Sequence, residues 1–143
     1  MNKTFWIGLV VVYVVMQCVG FLVHGVWLSD TYAPLYGTVF RPEPEFQGMM
    51  WVIFVTGAVT TFLFCYIFTK GYEGKGLAEG LRYGLLIGLL MSVPMLDQYV
   101  LYPLSLNLTV TWFLTGVINF MIGGAVLAAI YRPSAPATAA AAA

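Results

Sequence analysis

Charged side chains are scarce in this sequence. Six basic and six acidic residues in 143 amount to 8%, against about a quarter in soluble domains. The two signs cancel, so no basic field draws nucleic acid, and no basic run marks a groove for it. Histidine is limited to His24, and cysteine to Cys18 and Cys65. One histidine and two separated cysteines cannot close a zinc site. Bis-histidine haem ligation cannot come from one copy. No Gly-rich phosphate loop, nucleophile elbow or paired-histidine motif is present. The GYEGKG stretch at 71–76 lacks P-loop spacing and a following Ser or Thr. It reads as a tight turn with Glu73 and Lys75 solvated. No nucleophile–base pair emerges, which leaves an enzyme the least supported class.

Hydrophobic residues take the place of charge, at 61% of the chain. A chain this short cannot hide that much apolar surface in one water-soluble core. Four segments are long enough to cross about 30 Å of hydrocarbon. They run over about 5–28, 49–69, 77–104 and 108–131. The first starts like a secretory signal, after Lys3, but it is too long and no small-x-small cleavage site follows, so it is expected to be retained. Trp6, Trp27, Trp51, Trp112 and Tyr131 fall near segment ends, where an aromatic belt belongs. The expected fold is all-α: a polytopic membrane protein, a bundle of four transmembrane helices forming one domain over 1–131. Cys18 and Cys65 then differ in depth by about 14 Å, too far for a disulfide.

Loop charge gives the orientation. Lys3, Lys70, Lys75, Arg82 and Arg132 share one side when four helices alternate, and Arg41 stands alone on the other. The positive-inside rule places both termini and the 70–76 turn in the cytoplasm, in a bacterial cytoplasmic (inner) membrane. The 29–47 loop then lies outside. Its prolines (Pro34, Pro42, Pro44) and its aromatics predict a cap on the bundle or a headgroup-level segment, not a flexible linker. The 132–143 tail, rich in alanine and proline, is expected to be disordered.

Small residues recur at every fourth position over Gly76, Gly80, Gly84, Gly88 and Ser92. Four-residue steps lie along one helical ridge. In water each helix-interior glycine costs about 1 kcal/mol relative to alanine. In lipid such a ridge lets a second helix approach closely. Each of the other helices carries a polar stripe. Depth counting brings Gln17, Thr60 and Asn119 to one level near the midplane. They read either as interhelical hydrogen-bonding glue or as the lining of a ligand or water path.

A second polar group gathers at the outer end. His24 closes the first helix, and Asp97 and Gln98 lie at the matching end of the third, after a kink expected at Pro94. A His24–Asp97 pair lowers the cost of burying either partner, and Asp30 or Arg41 can reach the same zone. With Trp27 and Tyr102, these residues form the candidate ligand site. His24 is also available as a single axial ligand to a haem or chlorophyll-type pigment. Alternatively His24 and Asp97 reach out to the headgroups, or clamp the loop to the bundle. Glu79 and Arg82, three apart, are placed to pair along the helix surface.

The HGVWLSDTY stretch (24–32) and GKGLAEGLRYGLLIGLL (74–90) resemble a group of bacterial four-helix inner-membrane proteins. In that group a Trp-containing end of the first helix precedes an aromatic outer loop, and a Gly-rich third helix follows a short basic turn. The similarity covers most of 5–131. It implies architecture alone and transfers no catalytic residues. Three functions follow as expectations. The first is a non-enzymatic accessory subunit, packed by its glycine ridge against other membrane subunits or a second copy. The second is a binder of a lipid, quinone, haem or pigment at the outer cluster. The third is a small transporter acting as an oligomer.

Overall fold

A computed structural model of the protein describes residues 3–131. The tail and Arg132, to which sequence reasoning assigned disorder and a positive charge on the terminal side, lie outside the described residues. Among the described residues the fold is all-helical, and four helices are long and apolar enough to cross a membrane. The first is α1 (Lys3–Gly20), which continues directly into a π-helix over Phe21–Trp27. Short helices α2 (Ser29–Tyr32) and α3 (Glu43–Gly48) shape the long loop. The second long helix is α4 (Met50–Lys70) and the third is α5 (Leu77–Ser92). A 3₁₀ turn at Val93–Met95 joins α5 to the one-turn helix α6 (Gln98–Leu101). The last long helix is α7 (Leu106–Ile130), capped by the Ser105 hydroxyl, which accepts from the Leu108 N–H. At Pro94 the α-helix ends outright instead of kinking, because the ring cannot supply the next N–H.

The tightest contact joins α5 to α7. A Cβ built on Gly80 would meet the Gly124 carbonyl oxygen and the Ala128 Cβ (2.6 Å). One built on Gly84 would strike the Phe120 carbonyl and the Met121 Cα (2.7 Å), and one on Gly88 the Val117 Cα (3.0 Å). Ser92, 3% exposed, closes the row against Gly116. The ridge is therefore occupied by the chain's own last helix. Gly76 does not belong to it: it sits before the helix at φ +63° with open space around it. A positive φ favours glycine there. The complementary row on α7 is Gly116, Phe120, Gly124 and Ala128, again in four-residue steps.

The remaining helices pack through larger groups. On α7, Gly123 receives the Met16 sulfur of α1, and Leu127 packs on Gly8. On the other side α4 is held by aromatic rings at the end nearer residues 71–76. Phe64 meets Tyr83 at a tilt (4.8 Å) and Phe68 meets it edge-on (5.2 Å), and Tyr83 donates its hydroxyl hydrogen to the Phe64 carbonyl at 2.6 Å. Both cysteines are free, Cys18 exposed and Cys65 buried.

The 71–76 turn departs from the expected charge pairing. Glu79 does not pair with Arg82. It is 3% exposed and accepts the backbone N–H groups of Glu73 (2.6 Å) and Lys75 (2.7 Å). It occupies the third position of α5, from which a glutamate satisfies N–H groups at the helix start. Arg82 bonds Glu73 instead (2.8 Å), and Lys75 reaches the same carboxylate (2.7 Å). Glu73 and Lys75 are exposed, as the tight-turn reading expects, and Glu73 also carries both ion pairs.

Two predictions follow from this packing. Gly84→Ala should destabilise the protein by about 1–3 kcal/mol, the usual cost of overpacking. Gly48→Ala, with nothing within 4 Å, should be neutral or stabilise by up to about 1 kcal/mol. Thermal unfolding in detergent micelles separates the two. The hydrogen bond from Lys75, followed by that from Arg82, holds the Glu73 carboxyl below its ordinary value of 4.5. A depressed carboxyl stabilises the fold above that value and stops doing so as pH falls through its folded pKa. Glu73→Gln should flatten the loss of stability below about pH 4.5, read from unfolding midpoints across pH.

Candidate functional site

The π-helix at Phe21–Trp27 widens the end of the first helix. In a π-helix each N–H reaches five residues back, and such segments are frequent at functional sites. The Leu28 N–H closes it on the Val23 carbonyl (2.9 Å). His24 and Gly25 lie within it, and a Cβ on Gly25 would come within 2.9 Å of the Phe21 ring. The chain then turns at Leu28 and brings Tyr32 back beside His24.

Tyr32 is the centre of the arrangement. Its hydroxyl lies 2.6 Å from His24 Nδ1 and accepts a hydrogen bond from Trp112 Nε1 at 2.7 Å. The His24 and Tyr32 rings stack at 6.1 Å, and Phe40 of the loop meets both Tyr32 (5.7 Å) and Trp112 (6.4 Å). Leu28, Leu104 and Leu108 bury the far side of this cluster. The indole N–H is always a donor, so it occupies one lone pair of the phenol oxygen. The phenol hydrogen is then free to donate to His24 Nδ1. In that arrangement every group is used once, and His24 carries its proton on Nε2. Burial pushes the Tyr32 hydroxyl up to about 12, with Tyr36 adding to the rise and the Trp112 hydrogen bond opposing it.

Beside His24 and Tyr32 lies a cavity of about 590 Å³. Its walls come from three parts of the chain. The first helix and its π-segment supply Gln17, Gly20, Phe21, His24 and Gly25. The loop supplies Tyr32, Tyr36, Phe46 and Gln47, and α4 supplies Met50, Ile53 and Phe54. The walls are mostly apolar, with a few polar groups among them. That volume and character match sites for small apolar molecules.

The candidate ligand residues are not brought together. His24 lines the cavity, but Trp27, Asp97, Gln98 and Tyr102 do not. Trp27 and Tyr102 are exposed, at 64% and 48%. Asp97 is exposed and precedes α6. The expected His24–Asp97 pair is replaced by His24–Tyr32, because the loop delivers a closer partner than the third helix does. Arg41 pairs with Glu45 (3.6 Å) within the loop, and Asp30 is exposed on α2. Among the described residues no cluster of three metal-ligating side chains forms.

The polar layer does come together. Gln17, Thr60 and Asn119 line one smaller cavity of about 250 Å³, with Thr56 and Thr61 beside them. Gln17 and Ile53 border both cavities. Sequence reasoning missed Tyr32, Phe46, Gln47 and Phe54 as cavity residues. The one signal for them was the aromatic, proline-restricted composition of the loop. No family model, curated protein or solved structure matches this chain.

Replacing Tyr32 with Phe removes the shared oxygen and strands the Trp112 N–H. The expected cost is about 1–3 kcal/mol, that of an unsatisfied buried donor. A raised phenol pKa contributes stability in full below pH 10 and loses it as pH rises toward about 12. Tyr32→Phe should therefore also remove part of the alkaline loss of stability between those limits, followed by thermal unfolding at each pH.

Proposed function

We propose that this protein is a non-enzymatic, membrane-embedded binder of a small apolar molecule with a hydrogen-bond-accepting end, such as a quinone carbonyl or a lipid ester. The observation that carries this reading is the 590 Å³ cavity with His24 and Gln17 in its walls. With Nδ1 engaged by Tyr32, the Nε2 proton of His24 is a free donor, beside the Gln17 amide in the same wall. An acceptor on the ligand complements it, and the apolar walls take the rest of the molecule. Haem ligation by Nε2 needs the opposite tautomer. The Tyr32 hydrogen would then lose its acceptor.

The accessory-subunit reading rests on the glycine ridge, and α7 covers that ridge from Gly80 to Ser92. The cavity therefore takes precedence. The bilayer is the setting proposed for it, a bacterial cytoplasmic membrane. Lys3, Lys70, Lys75 and Arg82 toward the 71–76 end support cytoplasmic termini by the positive-inside rule. The cavity then lies in the outer half, near the headgroup boundary.

The test is titration of purified protein in lipid nanodiscs with decyl-ubiquinone, followed by quenching of tryptophan fluorescence. Saturable binding is expected for the native chain. His24→Ala should weaken it about tenfold, the value of one hydrogen bond of about 1.4 kcal/mol. Phe54→Ala should weaken it without touching the polar end. Organic extraction and mass spectrometry of the native preparation identify the resident molecule. A haem Soret band, or quenching that never saturates and ignores both substitutions, overturns the reading.

A further inference from the structure

The smaller cavity has a chemistry of its own. It is walled by α1, α4 and α7 near the middle of the bundle, away from both loops. Three polar side chains meet there with hydrogen-bonding capacity left unused among the described residues. Asn119 donates its amide to the Met16 carbonyl (3.3 Å), but its carbonyl oxygen is buried and accepts nothing. Gln17 lies with its own carbonyl oxygen over Gly57 (3.2 Å from an ideal Cβ), and its amide makes no hydrogen bond among the described residues. The Thr60 hydroxyl makes none either. Thr56 and Thr61 spend their hydrogens on their own helix, on the Val52 (2.9 Å) and Gly57 (2.8 Å) carbonyls. What they leave toward a neighbour is lone pairs.

The wall therefore offers both kinds of unpaired group, the Asn119 carbonyl as acceptor and the Gln17 amide and Thr60 hydroxyl as donors, and carries no charge. Such a wall suits a neutral hydroxyl, which donates and accepts at once; a bare cation would be left without a counter-charge in a low-dielectric setting. An unsatisfied buried carbonyl is costly and calls for an explanation. A hydroxyl seated in the adjoining cavity would relieve it. The volume, about 250 Å³, has room for several waters at about 30 Å³ each, or for the end of one aliphatic alcohol.

We propose that this mid-bundle cavity is a second binding site, specific for a hydroxyl group, with Asn119 and Thr60 as its recognition residues and Gln17 as the wall it shares with the larger cavity. The hydroxyl belongs either to water or to an alcohol. The proposal stands apart from the quinone or ester reading, since it requires no occupant in the larger cavity.

Radiolytic hydroxyl-radical footprinting in lipid nanodiscs tests for water. Met16 lines the cavity at 8% exposure, whereas Met91 is 44% exposed on the outside of the bundle. Met16 should oxidise at least threefold faster than Met91 despite its burial. That rate should fall at least threefold in Asn119→Leu and in Thr60→Val, the latter preserving side-chain shape. A second arm uses octanol carrying a diazirine beside its hydroxyl. Adducts on Gln17 or Thr60 that unlabelled octanol blocks assign the site to alcohols; fast Met16 labelling without adducts assigns it to water. Met16 labelling no faster than Met91, together with no blockable adduct, overturns the proposal.

Discussion

Backbone contact between α5 and α7 sets where the rest of the bundle can go. Gly80 and Gly124 each lie against the other's carbonyl oxygen, so neither helix can carry a side chain at that crossing. Dispersion between closely fitted backbones is short-ranged, and a gap of about 0.5–1 Å already forfeits a quarter to a half of it. The pair is therefore held at one separation. Its other surfaces are dictated in turn. Gly123 and Leu127, beside the ridge on α7, receive Met16 and Gly8 of α1. Phe120 of the ridge row also packs at a tilt on Phe64 of α4 at 5.4 Å. One helix thus serves three neighbours.

That arrangement was partly visible in the sequence. The four-residue spacing from Gly80 to Ser92 is a local pattern with one geometric meaning, and it identified the packed face of α5. Its partner, Gly116–Phe120–Gly124–Ala128, has the same spacing but hides a bulky phenylalanine among small residues. Beside that row, Asn119 reaches the Met16 carbonyl and Gly123 receives the Met16 sulfur. Gly76 continued the spacing yet stands outside the helix, because a spacing rule carries no information on φ.

His24 was identifiable as the single histidine at a helix end, but its partner was not. Two features decide it, and neither leaves a periodic trace. The π-helix shifts the register of the last turns of the first helix, so α-helical counting misplaces the side chains beyond Gly20. The loop then folds back through α2, and Tyr32 reaches both His24 and Trp112, a residue 80 positions away. A contact of that sequence separation comes from tertiary packing, which no local propensity encodes. The polar layer of Gln17, Thr60 and Asn119 was legible for the opposite reason: straight α-helical segments preserve depth, so counting residues at 1.5 Å each suffices.

The same contrast explains why space remains between α1 and α4. Glycine meets glycine across α5 and α7, so those helices close up. Across α1 and α4 the facing groups are Gln17 against Gly57 and Tyr13 on the Phe54 carbonyl (3.1 Å). A void on the scale of the larger cavity, about 590 Å³, would cost about 14 kcal/mol if sealed and empty, at about 24 cal/mol per Å³. That rivals the whole stability of an ordinary domain. A fold can keep such a space only if something enters it readily. Hydrocarbon tails would fill the apolar walls and leave the His24 Nε2 proton without an acceptor. An occupant that also brings a carbonyl to that proton gains a hydrogen bond which a bare tail forgoes. On the proposed reading, selectivity at this cavity rests on the His24 Nε2 proton, held in place by Tyr32 and Trp112, together with the Gln17 amide in the same wall, while the apolar walls supply affinity without discrimination.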